Sequence, residues 1–215
     1  MSKLSKLLHI LRTRGLQETA LFVLSRVVRS QTHLLFCNDN AGQGIPIKWN
    51  ANEVVFEATQ ASELDALTQR CGDLPDDIAE YLAAIRSKQA IGIFIFVEDR
   101  LAHWAFVMKQ SRTACYLGFP DPAVGLLGSA FTVPEFRGRG LQTRSVAHRT
   151  NLAWRHGYTT VISETAPENE PSARALQAGG MQSRGRMRIW VICNHFVLRS
   201  GSAAKGVRRS VDYCK

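Results

Sequence analysis

One stretch constrains the fold of this chain more than any other. Residues 130–133, Ala-Phe-Thr-Val, form an apolar strand-like run that stops at Pro134. A loop follows in which Gly138 and Gly140 alternate with Arg137 and Arg139, and a helical pattern begins near Leu141. A strand, a glycine loop and a helix in that order build a concavity for an anion. Glycine takes backbone angles closed to other residues. The loop and helix-start N–H groups then converge at the positive end of the helix dipole, and the arginines add full charges.

Three phosphate-binding loops compete for this pattern. A P-loop ends in Gly-Lys-Ser/Thr, whereas this loop ends Gly140-Leu141-Gln142. A dinucleotide-binding fold needs a third glycine and an early position in its domain, and both are missing. The third loop reads Arg/Gln-x-x-Gly-x-Gly/Ala after a strand ending Val-x-Pro. Thr132, Pro134, Glu135, Arg137, Gly138, Arg139 and Gly140 fall in register with it, and Gln142 departs from its small last position. On these residues the chain resembles the GNAT superfamily of acyl-CoA N-acyltransferases. Downstream, Gly157 to Ile162 reads as a strand, and Asn169, Ser172, Gly180 and Met181 fall on the superfamily's second motif. Leu176 stands where many members carry a tyrosine. The resemblance covers about residues 50–199.

The resemblance implies an α+β fold with a mixed, mostly antiparallel central sheet flanked by helices. The pattern along the chain divides in the same way. Residues 1–36 place Leu4, Leu7, Leu8, Leu11, Leu21, Leu24, Val27 and Val28 at helical spacing among many basic residues, and are expected to form an extra amphipathic helical segment. Residues 37–52 hold Gly42, Gly44 and Pro46 and read as a linker. The domain proper is expected over 53–199. Within it, Ser62 and Asp65 suggest a helix start, and Pro75 with Asp76 and Asp77 suggests another. Ile91–Val97 and Leu101–Met108 form a hairpin. Further strands are expected at 113–117, at 124–133 and as a pair over 184–198. Residues 200–215 read as a basic flexible tail.

The net charge of +9 favours an anionic partner. Coenzyme A fits that, while no nucleic-acid motif accompanies the charge. The five cysteines are odd in number and show no CxxC pair, which points to a reducing compartment and no metal site. No apolar run reaches the length of a membrane span. The expected location is the cytoplasm. Contact with a membrane surface or an acyl carrier through the N-terminal segment is a second reading, and a homodimer is compatible with the pattern.

The resemblance further implies that acetyl-CoA, or another acyl-CoA, is the cosubstrate and a small-molecule amine the acceptor. The cofactor residues it implies are Phe131, Thr132, Val133, Arg137, Gly138, Arg139, Gly140, Leu141, Gln142, Thr143, Asn169 and Ser172. A main-chain N–H within 131–133 is expected to meet the charge that develops on the carbonyl oxygen. Gly125 and Gly128 suit a bulge or a close approach. The candidates for the group that takes the amine's proton are Glu164, His103 and Glu98, in that order. Two alternatives stand beside N-acetyl transfer: transfer of a longer acyl chain from CoA or an acyl carrier protein, and a CoA-binding regulatory module without turnover.

Overall fold

The computed structural model describes Thr13 and residues 15–17, 28–72, 74–75, 78–109, 117–119, 121–192, 196–204 and 210–212. Its sheet is built from β1 (Val28–Asn38), β2 (Glu53–Ala58), β3 (Ala90–Val97), β4 (Arg100–Lys109), β5 (Val124–Thr132), β6 (Thr160–Thr165), β7 (Gln182–Ile192), β8 (Phe196–Ser200) and β9 (Ser210–Asp212). The helices are α1 (Ala61–Cys71), α2 (Ala79–Arg86), α3 (Leu141–Arg155) and α4 (Glu170–Ala178). The strand order is β2-β3-β4-β5-β6-β1-β7-β8-β9. Every neighbouring pair is antiparallel except β5 and β6. This is the expected mixed, mostly antiparallel α+β architecture.

The helices cover the sheet on both faces. Alternation along β3 sends Ile91, Ile93 and Ile95 to one face, where they meet Leu141, Val146 and Leu152 of α3 and Leu176 of α4. Phe94 and Phe96 go to the other face, against Leu64 and Leu67 of α1 and Ile85 of α2. All eight residues of β3 are buried, as a central strand covered on both faces requires. The start of α1 differs in detail from expectation. Glu63, not Asp65, is the capping acid, accepting the Gln60 N–H at 3.1 Å.

The N-terminal part of the chain requires a correction. Residues 28–36 are not helical; they belong to β1, which lies between β6 and β7 and is antiparallel to both. Val28 continues a helical spacing set by leucines before it, and that hid a run whose alternate residues are buried on opposite faces. Leu35 and Cys37 pack with Ile162 and Met187, while Phe36 packs with the α3 side of the core. Apart from Thr13 and residues 15–17, which are helical, the rest of the expected amphipathic segment lies outside the described residues, as does its expected membrane or carrier contact. Cys37 and Asn38, expected in the linker, end β1, whereas residues 39–52 run without helix or strand. Asn151 of α3 pins them through both backbone groups of Ile45, at 2.9 and 2.8 Å.

The expectation of a flexible tail from 200 also fails where the chain is described. Ala203 and Ala204 are buried in a short 3-10 turn, and β9 pairs with β8. The strand expected at 113–117 lies outside the described residues except for Leu117, a core residue. Asp76 and Asp77 lie outside them as well.

The feature that makes a site is a parting of the sheet. The parallel pair of β5 and β6 holds only from Val124–Thr160 to Leu126–Ile162. One step on, the Ser163 hydroxyl still reaches Leu127 O at 3.3 Å. Beyond that the two strands diverge.

Candidate active site

Gly140 caps α3 with φ +71°, and Gly138 has φ +76°, both left-handed values that favour glycine. The first helical bond of α3 is Arg144 N–H to Gly140 O at 3.1 Å, and no side chain caps the helix. The amides of Leu141, Gln142 and Thr143 therefore have no intrahelical partner. They open on a cavity of about 550 Å3, which Arg137, Gly138, Asn169 and Arg174 also line. Free amides, a helix dipole and two guanidinium groups suit it to a diphosphate.

Arg144 braces this loop from behind. Its Nη1 donates to Arg139 O at 3.0 Å, its Nη2 donates to Glu53 at 2.5 Å, and its guanidinium lies over the Trp49 ring. The loop is thus tied to the linker and to β2.

A larger cavity of about 1070 Å3 occupies the gap between β5 and β6. The two cavities share Ala130, Gln142, Asn169 and Ser172, so they adjoin. The carboxylates of Glu80, Glu164 and Glu168 line the larger one, together with Lys109, Arg149 and His33. Asn169 also holds the local fold together, because its Oδ1 accepts the Ser172 N–H at 3.2 Å and caps α4.

The wall between the cavities is the free edge of β5. Val133 N–H is bonded to Ala102 O at 3.0 Å, so alternation turns Phe131 towards β4 as well. Thr132 and Ala130 therefore direct their backbone groups into the cleft, and Thr132 O accepts Arg137 Nε at 3.1 Å. Of the expected 131–133 donors, only Thr132 has an N–H on this side. The register between β4 and β5 slips between Ala105–Ala130 and Val107–Leu127, so Gly128 and Ser129 together face Phe106. This is the bulge that Gly128 suggested.

Ten of the twelve expected cofactor residues border the 550 Å3 cavity. The exceptions are Val133, engaged in the ladder, and Arg139, whose guanidinium lies over Phe136.

The proton-accepting candidates separate clearly. Glu164 lines the cleft. His103 does not: it is wholly buried, with Nδ1 2.8 Å from Thr132 Oγ1. Burial, aided by the charge of Arg149, pushes its pKa down to about 3, so it is a neutral core histidine. Glu98 sits in the turn between β3 and β4, accepts an Asn52 amide hydrogen at 3.2 Å and borders neither cavity.

His33 is the site residue that sequence reasoning missed. Its Nδ1 lies 2.5 Å from Glu164 Oε2, and that carboxylate raises its pKa against the opposing effect of burial. Leu35 and Cys37, at even spacing from it, were the available signal. Tyr81, stacked on Phe106 at 4.3 Å between ring centres, is a second residue of the cleft not foreseen. Leu176 lines the cleft without a hydroxyl, and Tyr158 is buried beneath Gly125 outside both cavities. Tyr116 lies outside the described residues.

Among the described residues no group of three or more His, Cys, Asp or Glu gathers to hold a metal ion, and no helix is long and apolar enough to cross a membrane.

Comparisons with known proteins bear on the fold and the family. No curated protein matches the sequence. Solved structures similar in fold include a GCN5-related N-acetyltransferase from Sphaerobacter thermophilus (14% identity, TM-score 0.53, covering 80% of this chain and 55% of that one). Another is a GCN5-related N-acetyltransferase from Kribbella flavida (15%, 0.51, 82% and 63%). A third is an acetyltransferase of the GNAT family from Colwellia psychrerythraea (16%, 0.51, 82% and 61%). The chain thus spans less than two thirds of the length of each. The family model described as the acetyltransferase (GNAT) domain matches residues 52–182, more than half of the chain, and the protein belongs to that family.

Proposed function

We propose that this protein transfers an acetyl group from acetyl-CoA to a primary amine of a small molecule within a ternary complex. The observation that carries this reading is the junction of the two cavities. Free amides at the start of α3 line one, carboxylates line the other, and they meet along the open edge of β5.

In this reading the diphosphate of CoA lies against Gly138, Gly140, Leu141, Gln142 and Thr143, with Arg137 and Arg174 nearby. The rest of the cosubstrate runs along Ala130 and Thr132 towards the gap. The Thr132 and Ala130 amides are placed to donate to CoA or to the carbonyl oxygen as negative charge develops there. Glu80, Glu164 and Glu168 favour a cationic acceptor in the larger cavity. Holding both reactants supplies much of the rate, and in this reading the Glu164 carboxylate, with His33 bonded to it, serves the loss of the amine's proton.

Leu176 favours a second reading, a CoA-binding module without turnover, because the cleft has no hydroxyl at that point. Two measurements separate these readings. Calorimetry with CoA reports binding, which both require. Thiol release from acetyl-CoA in the presence of benzylamine, tyramine, spermidine or kanamycin reports turnover. Longer acyl-CoA thioesters in the same assay report chain length. Absence of CoA binding sinks both readings.

A further inference from the structure

β1 lines the gap in the sheet with Gln31, Thr32 and His33, and of these only His33 titrates near neutral pH. His33 belongs to the 1070 Å3 cavity and also to a smaller one of about 340 Å3 on the same strands, where Arg29, Leu117, Ile189 and Val191 surround it. Gln31, His33 and Glu164 are common to both cavities. The histidine and glutamate come from strands adjacent in the sheet, with Leu35 paired to Glu164.

We infer that His33 is the catalytic residue that receives the acceptor's proton, and that Glu164 is a positioning residue that holds the imidazole. The inference deepens the proposed acetyl transfer and rests on it. Glu164 Oε2 is engaged by His33 Nδ1 at 2.5 Å, close for any hydrogen bond. A carboxylate accepts and does not donate, so the Nδ1 atom carries the hydrogen and the neutral ring keeps its lone pair on Nε2. Among the described residues Nε2 has no hydrogen-bond partner. A carboxylate on one ring nitrogen with the other nitrogen bare is the arrangement that both orients an imidazole and stabilises its protonated form.

The step balances without any further reactant. The neutral amine nitrogen attacks the thioester carbonyl carbon, and the C–N bond forms. The proton of the resulting ammonium passes to His33 Nε2, giving an imidazolium beside the Glu164 carboxylate. The C–S bond breaks, and its electron pair leaves on sulfur. The imidazolium returns the same proton to the thiolate, directly or through water, and CoA departs as the thiol. One group thus serves as base and then as acid, which accounts for a cleft whose Leu176 has no hydroxyl.

Other charges line these cavities with His33: Arg29 on its own strand, Lys109 from β4, Arg149 from α3, Glu80 from α2 and Glu168 beyond β6. β7 contributes only apolar Ile189 and Val191. Glu164 is the one in hydrogen-bond contact, so it sets the direction in which the ring titrates.

The test uses the full chain with acetyl-CoA and the four amines named above. Thiol release is followed across about pH 5–9, where histidine titrates. For His33→Ala we expect a fall in kcat of about 100-fold or more, unchanged CoA affinity by calorimetry, loss of the acidic limb of the pH profile and partial rescue by added imidazole. Glu164→Gln is expected to move that limb to lower pH, because the carboxylate that favours the imidazolium is gone. His33→Gln, which keeps a hydrogen bond to Glu164, is expected to fold like the parent and be as slow as His33→Ala. If the unsubstituted chain binds CoA but releases no thiol with any amine, the proposed acetyl transfer falls. If it is active and both His33 variants retain its rate and pH limb, the transfer stands and the role of His33 is overturned. Nitrogen NMR of the unsubstituted protein reads the same point without a mutation: a bare Nε2 that shifts when an amine binds supports the inference, and a bare Nδ1 overturns it.

Discussion

Arg149 Nη1 lies 3.1 Å from Gly128 O and 3.4 Å from Phe106 O, so one guanidinium from α3 joins the two strands at the bulge. Its Nε also points to Ser145 O, and among the described residues no carboxylate pairs with it. The side chain is 1% exposed. Burial lowers its pKa to about 9, still well above neutrality, so it stays a cation. A buried charge without a counterion opposes stability, while the two carbonyls it satisfies favour it. For Arg149→Met these effects oppose each other, and the stability of the fold is expected to change by less than about 2 kcal/mol. Turnover is expected to fall much further, because the bulge aims the free edge of β5. Comparing chemical denaturation with thiol release checks this; a large loss of stability at constant turnover would contradict it.

Gly140→Glu is expected to remove CoA binding. The residue has φ +71°, which costs a non-glycine residue about 1–2 kcal/mol. An added Cβ would also stand 3.2 Å from Arg144 Nη1. The new carboxylate would face a diphosphate across a few ångströms, a repulsion of about 4 kcal/mol at the protein surface. Calorimetry is expected to show affinity for CoA reduced by about 100-fold or more. Gly140→Ala, with the backbone strain and the Cβ contact but no added charge, is expected to fall between the parent and Gly140→Glu.

β1 is part of the sheet and not an appendage, and substitution in it tests this. Phe36 is 1% exposed within the main core. Phe36→Ala is expected to cost about 3–5 kcal/mol in urea denaturation. Deleting residues 1–38 removes the strand that bonds β6 to β7, and the product is expected not to fold. A soluble, cooperatively unfolding product would refute the central placement of β1.

Glu57 on β2 receives His148 Nε2 and Arg155 Nη2, each at 2.7 Å. These partners, His148 above all, hold its carboxyl at about 2 against an ordinary 4.5, although burial acts the other way. A lowered carboxyl pKa contributes stability that is complete above the unfolded value and is lost as pH falls through the folded one. The contribution of Glu57 is therefore expected to fade from about pH 4.5 down to about 2. Melting temperatures across that window are expected to fall less steeply for Glu57→Gln than for the parent.

The glycine loop was legible because its chemistry is local. Gly138 and Gly140 are needed for backbone angles that few other residues adopt, and the strand before them and helix after them are continuous in sequence. The core of β3 was legible for the same reason, as an unbroken apolar run. His33 was not. Its role depends on a partner 131 positions away and on a strand whose start imitates the end of a helix. His103 misled in the opposite direction: an imidazole among apolar residues has the same sequence pattern whether it lines a cleft or, as here, is sealed behind β5. Val133 shows a third limit, since which N–H groups of a strand are free depends on the register with β4.

The placement of β1 has a consequence for how the molecule is made. The strand leaves the ribosome well before its partners, because β6 and β7 both lie more than 120 positions later in the chain. Until they emerge, Leu35 and Phe36 have no sheet to enter. Such distant pairing is slow to form, because loop closure must precede any gain from contact. The cleft and its histidine–glutamate pair are therefore completed only after β6 and β7 have been synthesised, and the nascent chain has no assembled cleft before then.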